Sequence, residues 1–172
     1  MVRTILDEQV RLILTCFFCD AAEIAPIELK GRKGVENFSV DEHPRADVSL
    51  ADMAKLKPVF KENGTVTAGN ASGICDGAAS MIVASEEAVK KHNLTPLARI
   101  VGWNRTGCDP SIMGIGPVAS IQGALKANNL TLDQMDLVEI NEAFAAQFLA
   151  CEKALGLNRN KANIHGGAIA LG

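Results

Sequence analysis

The sequence lacks a hydrophobic run long enough to cross a membrane. Its most apolar stretch, residues 12–19, is much shorter than the roughly 20 apolar residues that a spanning helix needs. Secretory signal peptides also carry a short apolar run near the N-terminus, but Asp7 and Glu8 are poorly placed for one. We therefore expect no integral membrane segment.

Long runs of basic residues are also missing. The 172 residues carry a formal net charge of −3, and the densest basic groups, at residues 30–33 and 90–91, are short. Proteins that bind nucleic acids usually present a basic patch or stripe. The charge pattern therefore argues against nucleic acid as the main partner.

The cysteines form no disulfide framework. There are five, an odd number at irregular spacings, which favours reduced thiols in a reducing compartment. Cys16 and Cys19 have the spacing of a redox or zinc pair, but no second cysteine pair or nearby histidine completes a tetrahedral site. We expect no metal site and interpret both as small apolar side chains in a buried segment.

The chain changes character near residue 65. Residues 20–62 are charged and irregular, with interspersed glycines and prolines, which predicts a loop-rich excursion with one helix near residues 49–56. From residue 65 onward, strand-like and helix-like stretches alternate. That alternation predicts an α/β layered fold with parallel strands.

Capping residues predict where the helices of the second part begin and end. Ser85 and Pro117 are typical of helix starts, and Gly156 is typical of a helix end. Thr131 and Gln134 have the spacing of a capping box. Apolar runs predict strands at residues 78–84, 97–101 and 137–140.

Small and polar residues follow the predicted strands, where parallel sheets usually bind ligands. Asn141 can orient a water, and the glycines at 166–167 let backbone N–H groups approach a developing oxyanion. The small residues at 67–73 can admit a bulky ligand, with Ser72 as a hydrogen-bonding group. On spacing alone, a structural role is favoured, with Asn141 as a helix N-cap and 166–167 as a tight turn.

Four ordered segments together resemble the signatures of the thiolase family. They are Val-Thr-Ala-Gly-Asn-Ala-Ser-Gly at 66–73, Met-Gly-Ile-Gly-Pro at 113–117, Asn-Glu-Ala-Phe-Ala at 141–145 and Gly-Gly-Ala-Ile-Ala-Leu-Gly at 166–172. Residues 91–102 and 107–113 most resemble the mitochondrial members. The resemblance extends from about residue 22 to residue 172.

The resemblance implies the layered αβαβα fold of the thiolases, here incomplete and with a loop-domain excursion. It divides the chain into an unmatched leader at 1–20, the end of the N-terminal domain with part of the loop domain at 21–94, and the first part of the C-terminal domain at 95–172. Thiolases assemble as dimers or tetramers. A homo-oligomer is therefore expected of a full-length member.

The resemblance also implies acyl transfer. Thiolases use CoA to cleave 3-ketoacyl-CoA into acetyl-CoA and a shortened acyl-CoA in fatty-acid β-oxidation, through a cysteine thiolate that attacks the ketone carbon. CoA is a co-substrate, and no permanently bound cofactor is expected. By motif, Asn141 would hold the water that stabilises the thioester enolate together with a histidine. The implied compartment is the mitochondrial matrix.

Five residues receive binding roles from the resemblance. Arg45 would face the CoA nucleotide, and Ser72 would contact the pantetheine arm. Met113 and Phe144 would line the acyl-CoA tunnel. Val48 stands where relatives commonly have threonine, so a side-chain hydrogen bond to CoA is lost there.

Three catalytic groups of the family have no counterpart among these residues. None of the five cysteines aligns with the nucleophile or with the acid/base cysteine, and the catalytic histidine would follow Gly172. His165 precedes the two glycines and is not that histidine. We expect the 172 residues alone to show no thiolysis of acetoacetyl-CoA. The alternative function is that of a catalytically inactive fragment that binds CoA or full-length subunits.

Overall fold

The computed structural model describes residues 23–32, 34–45 and 47–172. The predicted leader at 1–20, the signal-peptide alternative and the Cys16–Cys19 pair lie outside these residues. The described strands are β1 (Ile27–Gly31) and β2 (Gly34–Phe38), and the α-helices are α1 (Leu50–Ala54), α2 (Glu86–Lys91), α3 (Gly116–Ala127), α4 (Ala145–Leu155) and α5 (Ala168–Leu171). Short 3-10 helices span Pro110–Ile115, Leu132–Gln134 and Arg159–Lys161.

Strands β1 and β2 form an antiparallel hairpin that the loop-rich prediction for residues 20–62 misses. The register pairs Ile27 with Phe38 at the open end and Gly31 with Gly34 at the turn. Gly34 has a φ of +118°, which residues with a side chain rarely adopt. Apolar and polar residues alternate along β1, and this period of two is a strand signal, whereas β2 has two adjacent polar residues, Glu36 and Asn37, and lacks the pattern.

Side-chain caps begin α1 and α2; the sequence predicts the position of α1 and the cap of α2. The Ser49 hydroxyl accepts a hydrogen bond from the Asp52 amide at 3.2 Å, and Asp52 bonds back to the Ser49 amide, which completes a capping box. The Ser85 hydroxyl accepts from the Ala88 amide at 3.2 Å. In α2, Glu86 in the first turn pairs with Lys90 at 2.6 Å.

Helix α3 begins, and helix α4 ends, where the sequence predicts. Pro117 lies in the first turn of α3, and the predicted capping box of Thr131 and Gln134 opens a 3-10 helix. Gly156 ends α4 with a left-handed φ of +63°. The core of this part comprises Ile140, Phe148, Cys151, Leu157 and Ala162, with Val118, Ile121, Leu132, Val138 and Leu155 packed around it.

Asn163 fixes the geometry of two neighbouring backbone segments. Val138 and Ala162 form a parallel bridge, in which the Val138 amide donates to Lys161 at 2.8 Å and the Asn163 amide donates to Val138 at 3.0 Å. The buried Asn163 side chain continues the pairing, because it bonds both the N–H and the C=O of Ile140 at 2.8 Å. One amide side chain thus takes the place of a further strand pair.

The prediction of strands at residues 78–84, 97–101 and 137–140 is wrong. Residues 78–84 and 97–101 have no regular secondary structure and are exposed, with Ile82 at 91% and Leu97 at 102%. A strand requires a hydrogen-bonded neighbour, and the described part of the chain supplies none to either segment. Residues 137–140 pair only through the single bridge at Val138.

Replacing Asn163 with alanine should destabilise the fold. The buried Ile140 N–H and C=O would lose their partners, and each unsatisfied group costs about 1–3 kcal/mol. We expect Asn163→Ala to lower the free energy of unfolding by about 2–5 kcal/mol in urea titrations. The exposed Asn160 is the matched control, and Asn160→Ala should change it by less than about 0.5 kcal/mol. Equal effects of the two substitutions would contradict this role.

The carboxyl of Asp52 in the α1 capping box should titrate at an unusually low pH. Hydrogen bonds from Ser49, and then Lys55, lower the pKa of Asp52 from 3.8 to about 2. Because the folded-state pKa is below the unfolded one, ionised Asp52 favours folding above about pH 4, and this contribution is lost as the pH falls towards 2. An NMR titration of the carboxyl should show Ser49→Ala moving the midpoint back towards 3.8. An unmoved midpoint would refute the cap.

Candidate functional site

Two segments distant in sequence meet at the candidate site. The Ser72 amide donates to the Ala143 carbonyl at 2.9 Å, and the Ala145 amide donates to the Asn70 carbonyl at 2.9 Å. These two bonds form an antiparallel bridge between Ala71 and Phe144. The structure therefore brings the sequence-predicted residues Ser72 and Phe144 together at the start of α4.

Asn70 holds the small-residue segment in shape. Its side chain is 1% exposed, donates to the Thr65 carbonyl at 2.7 Å and accepts from the Thr67 amide at 2.7 Å. The same segment packs on α1, where a Cβ at Gly69 would lie 2.5 Å from the Met53 sulfur. A larger residue at 69 would push the segment away from α1, and with it Ser72.

Asn141 lies between buried neighbours with its own side chain exposed. Ile140 and Glu142 are 5% and 0% exposed. The residue that caps α4 is Phe144, in an extended conformation with φ −144° and ψ 144°. The alternative of Asn141 as a helix N-cap is therefore wrong. Its amide is available to hydrogen-bond a small molecule such as water.

The glycine-rich segment begins with a turn. The Gly166 amide donates to the Asn163 carbonyl at 3.0 Å, and Gly166 has a φ of +97°. Gly167 then precedes α5, in which Ile169 and Ala170 are buried. The turn therefore covers residues 163–166, so the predicted tight turn at 166–167 is displaced along the chain, and the segment that follows it lies directly beside Glu142.

Glu142 is the site residue to which the sequence analysis gave no role. It is fully buried, and Oε1 accepts a hydrogen bond from Asn163 Nδ2 at 3.2 Å. Burial raises the pKa of this carboxyl, while the hydrogen bond from Asn163 and the backbone of Ile169 partly offset the rise. The sequence carries no clear signal for this burial, because Glu142 follows the polar Asn141 and charged residues are almost never fully buried without a partner.

The segment that carries Met113 packs against the first turns of α4. The buried Cys151 thiol donates to the Gly114 carbonyl at 3.3 Å. A Cβ at Gly114 would lie 3.1 Å from the side chain of Gln147, which leaves little room for a larger residue. Met113 itself is 72% exposed. Its position next to Gly114 leaves the thioether free to contact a ligand.

Arg45 and Val48 lie on the segment that approaches Ser72. Arg45 is exposed and Val48 is half-buried. The imidazole of His43 lies against Gly73, where a Cβ would be 2.6 Å from Cε1. This contact brings the segment with the predicted nucleotide-binding residue to the small-residue segment.

Phe60 is a further aromatic residue of the site, next to the predicted Phe144, and sequence reasoning missed it. Its ring meets the ring of Phe144 edge to face, with centroids 5.7 Å apart and an interplanar angle of 79°. Phe60 remains 73% exposed. The pair forms an apolar surface next to the bridge between Ala71 and Phe144, which suits the hydrocarbon part of a ligand.

The described cysteines and His165 have different surroundings. Cys75 and Cys108 are exposed, whereas burial raises the pKa of the Cys151 thiol. His165 is exposed. The described residues contain no group of three or more potential metal ligands, and none of their helices is both long and apolar enough to span a bilayer.

Two family models match nearly the whole chain. The thiolase N-terminal domain matches residues 19–87, and the thiolase C-terminal domain matches residues 94–172. Bovine mitochondrial 3-ketoacyl-CoA thiolase is 63% identical over 150 residues, which are 87% of this chain and 38% of the bovine protein. The chain thus spans less than half the length of this relative.

Solved thiolase structures have the same fold. Human mitochondrial 3-ketoacyl-CoA thiolase in complex with CoA matches with a TM-score of 0.90 and 53% identity, over 100% of this chain and 44% of that one. The dimeric peroxisomal thiolase of Saccharomyces cerevisiae matches with a TM-score of 0.87 and 36% identity, again over 100% and 44%. The predicted α/β layered fold is therefore confirmed, and the chain belongs to the thiolase family.

Proposed function

We propose that the protein acts in thiolysis, in which CoA cleaves a 3-ketoacyl-CoA to acetyl-CoA and a shortened acyl-CoA in fatty-acid β-oxidation. The observation that carries the proposal is the bridge between Ala71 and Phe144, which joins two thiolase signatures into one site. The 63% identity to a mitochondrial 3-ketoacyl-CoA thiolase supports this substrate class.

Asn141 is the proposed water-holding residue. Its amide is exposed, while Ile140 and Glu142 on either side are buried and fix its backbone. A water oriented by this amide can donate a hydrogen bond to the thioester oxygen as it gains negative charge. Such stabilisation lowers the barrier because it acts where charge develops in the transition state.

CoA is the proposed co-substrate, and the proposed reaction needs no permanently bound cofactor. Ser72 is suited to the pantetheine arm, because its backbone bonds to Ala143 directly before Phe144, whose ring forms an apolar surface with Phe60. Met113, with its exposed thioether, would line the acyl tunnel together with Phe144. The human relative with CoA bound supports this use of the fold.

Arg45 is proposed to contact the charged nucleotide end of CoA. The guanidinium is exposed and therefore free to reach a phosphate. Val48, three residues later, offers an apolar contact and no hydrogen bond. The described cysteines are not proposed as the nucleophile, since burial keeps Cys151 a thiol, and Cys75 and Cys108 lie outside the matched signatures.

The domain division and the cellular context are proposed from the same relatives. We propose a leader at 1–20, the end of the N-terminal domain at 21–94 and part of the C-terminal domain from 95 onward, which the family matches at 19–87 and 94–172 support. The name of the bovine relative supports a mitochondrial location, which we place in the matrix. The dimeric yeast relative supports a homo-oligomer.

Removing the Asn141 amide should slow the chemical step. We expect Asn141→Ala to lower kcat by about 10²–10³-fold, the effect of losing one oxyanion-stabilising group. The consumption of acetoacetyl-CoA by thiolysis would be measured on the full-length protein. The exposed Asn37 on β2 is the control, and Asn37→Ala should leave kcat unchanged. An Asn141→Ala variant with wild-type kcat would contradict the assignment.

Removing the Arg45 charge should weaken CoA binding and leave the chemistry intact. Hydrogen bonds to charged groups contribute about 1.5–3 kcal/mol, so Arg45→Ala should raise the KM for CoA by roughly tenfold or more with little change in kcat. Raising the salt concentration should reduce the difference. Arg32, next to the hairpin turn, is the matched control. If Arg32→Ala raised the KM equally, a specific phosphate contact by Arg45 would be ruled out.

A further inference from the structure

The carboxyl of Glu142 occupies space that any side chain at position 167 would need. A Cβ built on Gly167 would collide with Oε1, Oε2 and the carboxyl carbon of Glu142. The carboxyl cannot swing aside easily, because Glu142 is 0% exposed and Asn163 holds Oε1 at 3.2 Å. Contact with Glu142 therefore restricts position 167 to glycine.

Backbone conformation does not require glycine at this position. Gly167 has a φ of −140° and a ψ of 174°, an extended conformation that every residue type adopts. Gly166 and Gly156 differ from it, because their positive φ values of +97° and +63° favour glycine whatever surrounds them. The demand for glycine at 167 therefore comes from the contact with Glu142 and not from backbone strain.

Glu142 is also tied to the residue that would hold the water. Asn141 directly precedes it, and Asn163 bonds both Glu142 and the backbone of Ile140, so the two residues that flank Asn141 share one anchor. The same carboxyl touches the glycine-rich segment that leads into α5. One buried group thus connects the two backbone segments on either side of the candidate site.

We propose that Glu142 is a positioning residue, whose buried carboxyl sets the distance between Asn141 and the glycines at 166–167. The effect on catalysis rests on the proposed thiolysis, whereas the mechanical contact does not. Glu142 touches no substrate in this scheme. It acts by keeping the backbone of Gly167 close and the preceding Asn141 fixed, so that groups on the two segments face the same reacting atoms.

A double substitution tests the mechanical contact directly. Gly167→Ala alone should push the segment away from Glu142 and increase amide hydrogen exchange at Ile169 and Ala170 by about tenfold or more. Glu142→Ala removes the obstacle. In the double variant, the amides of Ile169 and Ala170 should therefore exchange more slowly than the sum of the effects of the two single substitutions predicts. The exchange experiment requires no enzymatic activity, and it is performed on the full-length protein.

Gly156 provides the matched control. Gly156→Ala is strained by its positive φ and not by Glu142, so combining it with Glu142→Ala should give additive effects. If Glu142→Ala also relieved the effect of Gly156→Ala on hydrogen exchange, the relief would not be specific to position 167, and this result would contradict the proposed contact. Failure of Glu142→Ala to relieve Gly167→Ala would overturn the proposed contact.

Kinetics then separates positioning from simple stability. Glu142→Gln keeps the shape of the side chain and its acceptor for Asn163, so it should retain kcat within about threefold. Gly167→Ala should lower kcat at least about tenfold with an unchanged KM for CoA, and Glu142→Ala should partly restore it. If exchange responds as expected but kcat does not, the positioning role is wrong. If wild-type protein cleaves no 3-ketoacyl-CoA, the proposed function fails, and the exchange result still decides the contact.

Discussion

The arrangement of this site depends on one buried amide, that of Asn163. Its side chain satisfies both backbone groups of Ile140 and donates to Glu142. These bonds are made away from water, where an unpaired polar group is costly, so they specify one geometry strongly. The backbone segment that carries Asn141 and the turn that leads into the glycine-rich segment are consequently held by the same residue.

Backbone pairing completes the site from a distant part of the chain. The bridge between Ala71 and Phe144 attaches the small-residue segment to the start of α4, and Asn70 keeps that segment folded. Main-chain bonds do not depend on side-chain identity, whereas the space around them does. Small residues at 67–73 therefore allow the close approach, and Phe60 and Phe144 supply the apolar surface beside it.

Local signals predicted the helices, and only tertiary contacts define the rest. Ser49, Ser85 and Gly156 cap helices where the sequence indicates, because caps depend on nearest neighbours. The strands predicted at 78–84 and 97–101 are not formed, because a strand needs a partner that no apolar run can specify. At the site, motif resemblance identified Asn141 and Ser72. The proposed role of Glu142 rests on its contact with Gly167, which is 25 residues away in the sequence.

The central claim is that Asn141, Ser72 and Phe144 form one CoA-dependent site. A crystal structure of the full-length protein with CoA bound tests this claim most directly. The account predicts the pantetheine arm against Ser72 and Phe144, and an ordered water on the Asn141 amide that points to the thiol end of CoA. Electron density for CoA elsewhere on the protein, with Asn141 remote from its thiol, would contradict the account.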